Sequence, residues 1–363
     1  MRGQARAMRR LTGVVLAGLT VIAAAAPAAT NVAQPVTYAV ADKWSLPGDG
    51  GWDYLSVDPA AHLLYLSRAT HVAIVDIASG QIVGDIADTP GVHGIALAAD
   101  LGRGYISAGI TNRVKVFDLR TRATIENIAV GVKPDAILYD PYTHRVIAFN
   151  GGSDSASVID TATNTVAQTI ALGGQPEFAR SDGAGHLYVN LEDKNQLAVI
   201  DMATLKVTAR WALPGCDMPT GLALDAAHQR SFSVCSNAAM TILDMHDGRA
   251  IATLPIGHGV DGAQFDPDSQ NAFSSNGEGT LTVVHESDPE HFAVIQTLAT
   301  AKGARTSALD PATHRLYLPT ASFGPAAQAS GGAHPRPPIL PGSFVVLVVA
   351  PAVAPAAKQP RAN

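Results

Sequence analysis

The sequence predicts an all-β chain: a seven-bladed β-propeller of four-stranded antiparallel blades, closed by pairing an N-terminal strand with the last blade. Three observations predict it. A strand-turn-strand pattern recurs seven times, its copies lie about 42 residues apart, and one strand near the N-terminus is left without a blade of its own. A period of about 40–50 residues with four short strands per unit is a propeller signature. Helical periodicity is absent over the repeats, which argues against a helical solenoid.

The clearest part of each repeat is an Asp-type turn followed by an aromatic strand. It reads VDPAAHLLYLS from Val57, LAADLGRGYIS from Leu97, YDPYTHRVIAF from Tyr139 and RSDGAGHLYVN from Arg180. It continues as LDAAHQRSFSV from Leu224, FDPDSQNAFSS from Phe265 and LDPATHRLYLP from Leu309. The next strand repeats in register and ends in Asp76, Asp118, Asp160, Asp201 and Asp244. Each of these sits where a strand meets a turn and can accept backbone N–H bonds, so a structural role is expected. The sixth copy breaks the pattern with His285 and Glu286. The last repeat has only three strands, and pairing Tyr38–Leu46 with Phe344–Val349 would complete it. Closure of that kind removes the exposed edges of an open sheet.

The copy from Pro134, PDAILYDPYTHRVIAFNGGSDSASVIDTATNTVAQTIALGGQP, resembles the YVTN β-propeller repeat. It shows a Gly-x-x-Pro lead-in, a strand ending in Asn, a VID strand and a TxxxTVxxTI hairpin. Over residues 36–350 the chain is similar to the YncE-like branch of that class. The resemblance implies seven blades and export. It says far less about activity: relatives include surface-layer proteins, and similar propellers serve as lactonases, lyases and haem-carrying reductase domains. The chain has no CxxCH, which excludes covalently attached c-type haem.

The first 28 residues read as a secretory signal peptide, with an uncleaved anchor helix as the alternative. Arg2, Arg6, Arg9 and Arg10 precede an uncharged apolar run, Leu11 to Ala25, and Ala26-Pro27-Ala28 offers a cleavage site. Residues 29–35 are a linker, 36–350 the propeller and 351–363 a flexible tail. Loss of the leader moves the net charge from −6 to about −10. That sign disfavours nucleic acid, and no later segment has the roughly 18 apolar residues of a membrane span. A periplasmic or secreted monomer is expected. Cys216 and Cys235, the only two cysteines, would then form a disulfide; a free thiol or a metal-ligand pair is the alternative.

In each repeat one position opens the strand that lines the central channel. Around the ring it holds Asp53, His93, Asp135, Glu177, Thr220, Asp261 and Arg305, all polar. A plain hydrated rim is one reading. The functional reading is a ligand site at the channel mouth, for a small molecule or a protein partner. Asp53, His93, Asp135 and Glu177 could hold a divalent cation through oxygen and imidazole nitrogen; no other cofactor is implied. Arg305 could fork a carboxylate or phosphate, and His93 could act as a general base. These two are the catalytic candidates should the chain be a metal-dependent, lactonase-like hydrolase or lyase. The second-to-third strand loops share that face and contribute Arg68 and a further ligand candidate, His71. So does the long loop 320–342, rich in Gly, Ala and Pro, which is read either as a lid or as a disordered excursion.

Overall fold

The computed structural model describes Met1 and residues 36–48, 50–325 and 337–352. The rest of the expected leader, the linker, the tip of the long loop and the tail beyond Ala352 lie outside the described residues. Seven antiparallel sheets of four strands each are present among them. The inner strands are Leu55–Asp58, Val92–Ala98, Pro134–Asp140, Pro176–Ser181, Pro219–Asp225, Val260–Asp266 and Ala308–Asp310. Each packs against the next, and the first meets the last, so the blades form a closed ring.

The second and third strands of a blade are covered on both faces by neighbouring sheets, so they read as continuous apolar runs instead of alternating. Val146, Ile147, Ala148 and Phe149 are all fully buried. The buried apolar residues fall into seven clusters, each spanning two adjacent blades. Blade-to-blade stacking is therefore where apolar surface leaves water, at roughly 25 cal/mol per Å².

The seventh blade closes as expected. Tyr38–Ser45 pairs antiparallel with Val345–Pro351, with a bulge between Val40 and Asp42. The last strand thus runs one residue past the expected boundary at 350. Tyr38 also sutures the closing strand to the sixth blade. Its backbone N–H donates to Gln296 Oε1 at 2.8 Å, and its carbonyl accepts from Gln296 Nε2 at 2.7 Å. Its ring stands edge-on to Phe273 at 4.9 Å.

The repeated third-strand Asp residues cap their own turns. Asp76 accepts from the N–H and hydroxyl of Ser79, and Asp201 does the same from Thr204. Cys216 and Cys235 form a disulfide that ties a blade-to-blade loop to the end of the strand Arg230–Cys235. No helix among the described residues is long and apolar enough to cross a membrane.

Candidate functional site at the channel mouth

The residues that open the inner strands are held by hydrogen bonds from their neighbours. In several blades the penultimate residue of the second strand reaches the next blade. Ser107 Oγ donates to the Asp135 carbonyl, Asn190 Nδ2 to the Thr220 carbonyl at 2.9 Å, and Ser275 Oγ to the Arg305 carbonyl at 2.8 Å. Thr306 Oγ1 closes the circuit by donating to the Asp53 carbonyl at 2.8 Å. Glycines after the ring position allow this approach: a Cβ on Gly221 would stand 2.7 Å from the Ala263 nitrogen.

The side chains do not form a uniform ring. His93 Nδ1 lies 2.5 Å from Asp53 Oδ2 and 3.4 Å from Asp135 Oδ1. One ligand atom from each of these three residues fits within 4.8 Å of the others. Across the mouth, Arg305 Nε donates to Asp261 Oδ2 at 2.7 Å, and its Nη2 stands 3.7 Å from Asp53 Oδ1. Glu177 is apart from the trio; it accepts from the Tyr54 hydroxyl at 3.4 Å. Thr220 is turned into the wall, where its hydroxyl donates to the Val234 and Val260 carbonyls at 3.3 and 3.2 Å.

Burial dominates the electrostatics. It pushes the Asp135 carboxyl up to about 7, with Asp53 adding to the rise and the His93 charge opposing it. Glu177 is pushed up to about 9, again by burial first and then by Asp135 and Asp261. Burial works against a charged His93, but the hydrogen bond to Asp53 and the Asp135 charge outweigh it, and the net shift is upward. The Tyr54 hydroxyl is held well above its ordinary value by burial. At neutral pH the mouth therefore stores protons as well as charge.

His71 is not part of this group. It opens the strand His71–Asp76, its Nε2 stands 3.5 Å from Asp85, and it lines a separate surface hollow of about 900 Å³ with Arg113 and Lys115. Arg68 is buried instead of rimming the mouth, its guanidinium 3.7 Å over the Phe344 ring. The base of the long loop is anchored: Phe323 bridges to Ile339, and Phe323 and Phe344 pack on Trp52 beside Arg305. Its tip, 326–336, lies outside the described residues.

Sequence reasoning missed two further three-residue clusters of carboxylates and imidazole among the described Asp-turn residues, at the other end of the inner strands. In one, His228 Nδ1 lies 2.7 Å from Asp225 and 2.8 Å from Glu286. In the other, Asp266 and Asp268 flank His314. The break at His285–Glu286 was the visible signal for the first. Its meaning needed the neighbouring blade, since Glu286 is buried against His228 from the preceding repeat.

No family model matches the chain, and no curated protein matches it by sequence. Among solved structures it is similar to a chain of Kuenenia stuttgartiensis hydrazine synthase, with a TM-score of 0.66 and 18% identity. The match covers 75% of this chain and 93% of that one. At that identity the likeness shows the propeller fold alone, and one fold hosts many unrelated functions.

Proposed function

We propose that the chain is an extracytoplasmic propeller of the YVTN-repeat, YncE-like class that binds a small ligand at the mouth of its channel, through a divalent cation held by Asp53, His93 and Asp135. The convergence of two carboxylates and one imidazole within 4.8 Å carries the reading. The set is hard oxygen plus borderline nitrogen, which suits Zn²⁺ or Mn²⁺. A cation there would displace the proton between His93 and the two carboxylates, so binding releases protons and weakens as pH falls. Arg305 stands across the mouth, where its planar fork would orient a carboxylate or phosphate on the bound ligand. The disulfide supports an oxidising compartment.

A hydrolase or lyase reading rests on one further observation. Asp53 engages His93 Nδ1, an arrangement that fixes the imidazole and leaves Nε2 to take a proton.

Elemental analysis and titration calorimetry with Zn²⁺ and Mn²⁺ on the full chain test the cation site. Asp135→Ala is expected to remove one equivalent of bound metal, and the wild-type affinity to fall as pH drops below about 7. If no stoichiometric metal binds, or if Asp135→Ala leaves the stoichiometry unchanged, the reading is lost.

A further inference from the structure

Next to the ring residues Asp53 and Glu177 in the chain stands an aromatic pair. The Tyr54 ring stands edge-on to Phe178, with 4.8 Å between centroids. A cavity of about 290 Å³ is lined by the pair and by Arg180. Its Nε donates to the Leu222 carbonyl at 3.1 Å, and its Nη2 donates to Gln264 Oε1 at 3.1 Å. Its guanidinium also stands 4.8 Å from the Phe178 ring centroid. Its hydrogen-bond partners among the described residues are carbonyl and amide oxygens, and no carboxylate is among the groups that shift its basicity.

We propose that Arg180 and this cavity form a second ligand site, specific for a small carboxylate with an apolar or aromatic body. The site is separate from the cation site at the mouth.

The first support is the missing counter-charge. A partly buried guanidinium satisfied only by neutral oxygens lacks a compensating charge, because carbonyl dipoles do not replace a full opposite charge. The lowered basicity of Arg180, to about 10 through burial, has the same origin. A carboxylate would supply that charge and two acceptors matched to the guanidinium fork.

The second support is the layer that Arg180 occupies. Strand register places it opposite Tyr188, as Ser56 stands opposite Tyr65, Ala96 opposite Tyr105, Ala223 opposite Phe232 and Ala308 opposite Tyr317. Of these, Ser56 and Ala308 line the cavity, and their small side chains leave room there that the long arginine side chain enters. Gln264 belongs to the same layer and is itself held by a bond from its Nε2 to the Ser307 carbonyl at 2.6 Å.

The third support is the wall. Phe178, Ile95, Ile137 and Leu309 are among the residues that line the cavity. A short hydrocarbon or phenyl body on the carboxylate would rest against these side chains, a contact inorganic phosphate cannot make.

The test uses purified full chain, thermal melting and calorimetry. The probes are sodium benzoate, sodium hexanoate and sodium phosphate, with sodium chloride at equal ionic strength and benzyl alcohol as controls. Benzoate or hexanoate is expected to raise the melting temperature saturably, and benzyl alcohol is not. Arg180→Met is expected to weaken carboxylate binding by about tenfold or more, and Asp135→Asn to leave it unchanged. Arg180→Gln gives the same reading should the methionine variant fail to fold. Binding that survives loss of Arg180 would overturn the proposal, as would phosphate binding without carboxylate binding, or no response to any of the three anions. Because Asp135→Asn impairs only the mouth, failure here and failure of the cation site are distinguishable.

Discussion

Asp135 and Glu177 show how a propeller mouth differs from a row of solvated acids. Both carboxyls are raised by burial, so the folded state holds their protons more tightly than the unfolded chain does. Stability from such groups is full below the unfolded carboxyl range and is lost as pH rises through the folded value. For Asp135 and Glu177 that loss runs from the carboxyl range up through about 7 and about 9. Glu177→Gln removes one of these titrations. It is expected to raise the melting temperature at pH 9 by roughly 2 °C or more relative to wild type, with no such gain at pH 5. Melting curves at the two pH values check this; equal effects at both would show that the Glu177 carboxyl is not raised in the folded state. The ring positions were legible because a repeat defines equivalent residues. Which of them converge was not, since Thr220 turns into the wall on carbonyls from its own and the next blade. Arg180 was hidden by arithmetic. The turn after it is one residue shorter than its counterparts, so the sequence alignment sets it beside Val57 and Leu309. Strand pairing sets it beside Ser56 and Ala308.

At the scale of elements, the outermost strands are stapled to the next blade by large side chains laid on glycine turns. Trp211, on Lys206–Ala212, covers Gly248 in the hairpin of the following blade, and Trp44 covers Gly80 in the same way. Gly248 has φ +76, and a Cβ there would stand 2.1 Å from the Trp211 ring. Gly248→Ala is therefore expected to cost about 2 kcal/mol or more, from left-handed backbone strain and a displaced ring. Chemical denaturation measures it; a loss under about 0.5 kcal/mol, the usual surface range, would show that the staple is loose. The element pattern itself was readable from the repeated aromatic and Val/Ile strands. The stapling was not, because each contact joins residues of two neighbouring blades, 36 or 37 positions apart in the chain.

At the scale of the whole molecule, closure depends on Tyr38–Ser45. Deleting it would leave Val345–Pro351 as an open apolar edge and remove the Tyr38 contacts to the sixth blade. Such an edge is a template for association with other chains. The deleted protein is expected to aggregate or to melt at a clearly lower temperature, as size-exclusion chromatography and calorimetry would show; an unchanged monomer with unchanged melting would mean that six blades hold the ring. Blade number and closure were legible in the sequence because seven copies left one strand unmatched. The joined ends also impose an order in time. During synthesis, each inner blade can form its hairpins from neighbouring segments as they emerge. The earliest described strand has no strand to pair with until Val345–Pro351 has been made, nearly the whole chain later. Contacts of such long range are slow to form, because the intervening loop must first lose its freedom. Docking of the first strand is therefore expected to be the last step of folding. Until then the ring stays open, exposed to proteases and to the edges of other copies.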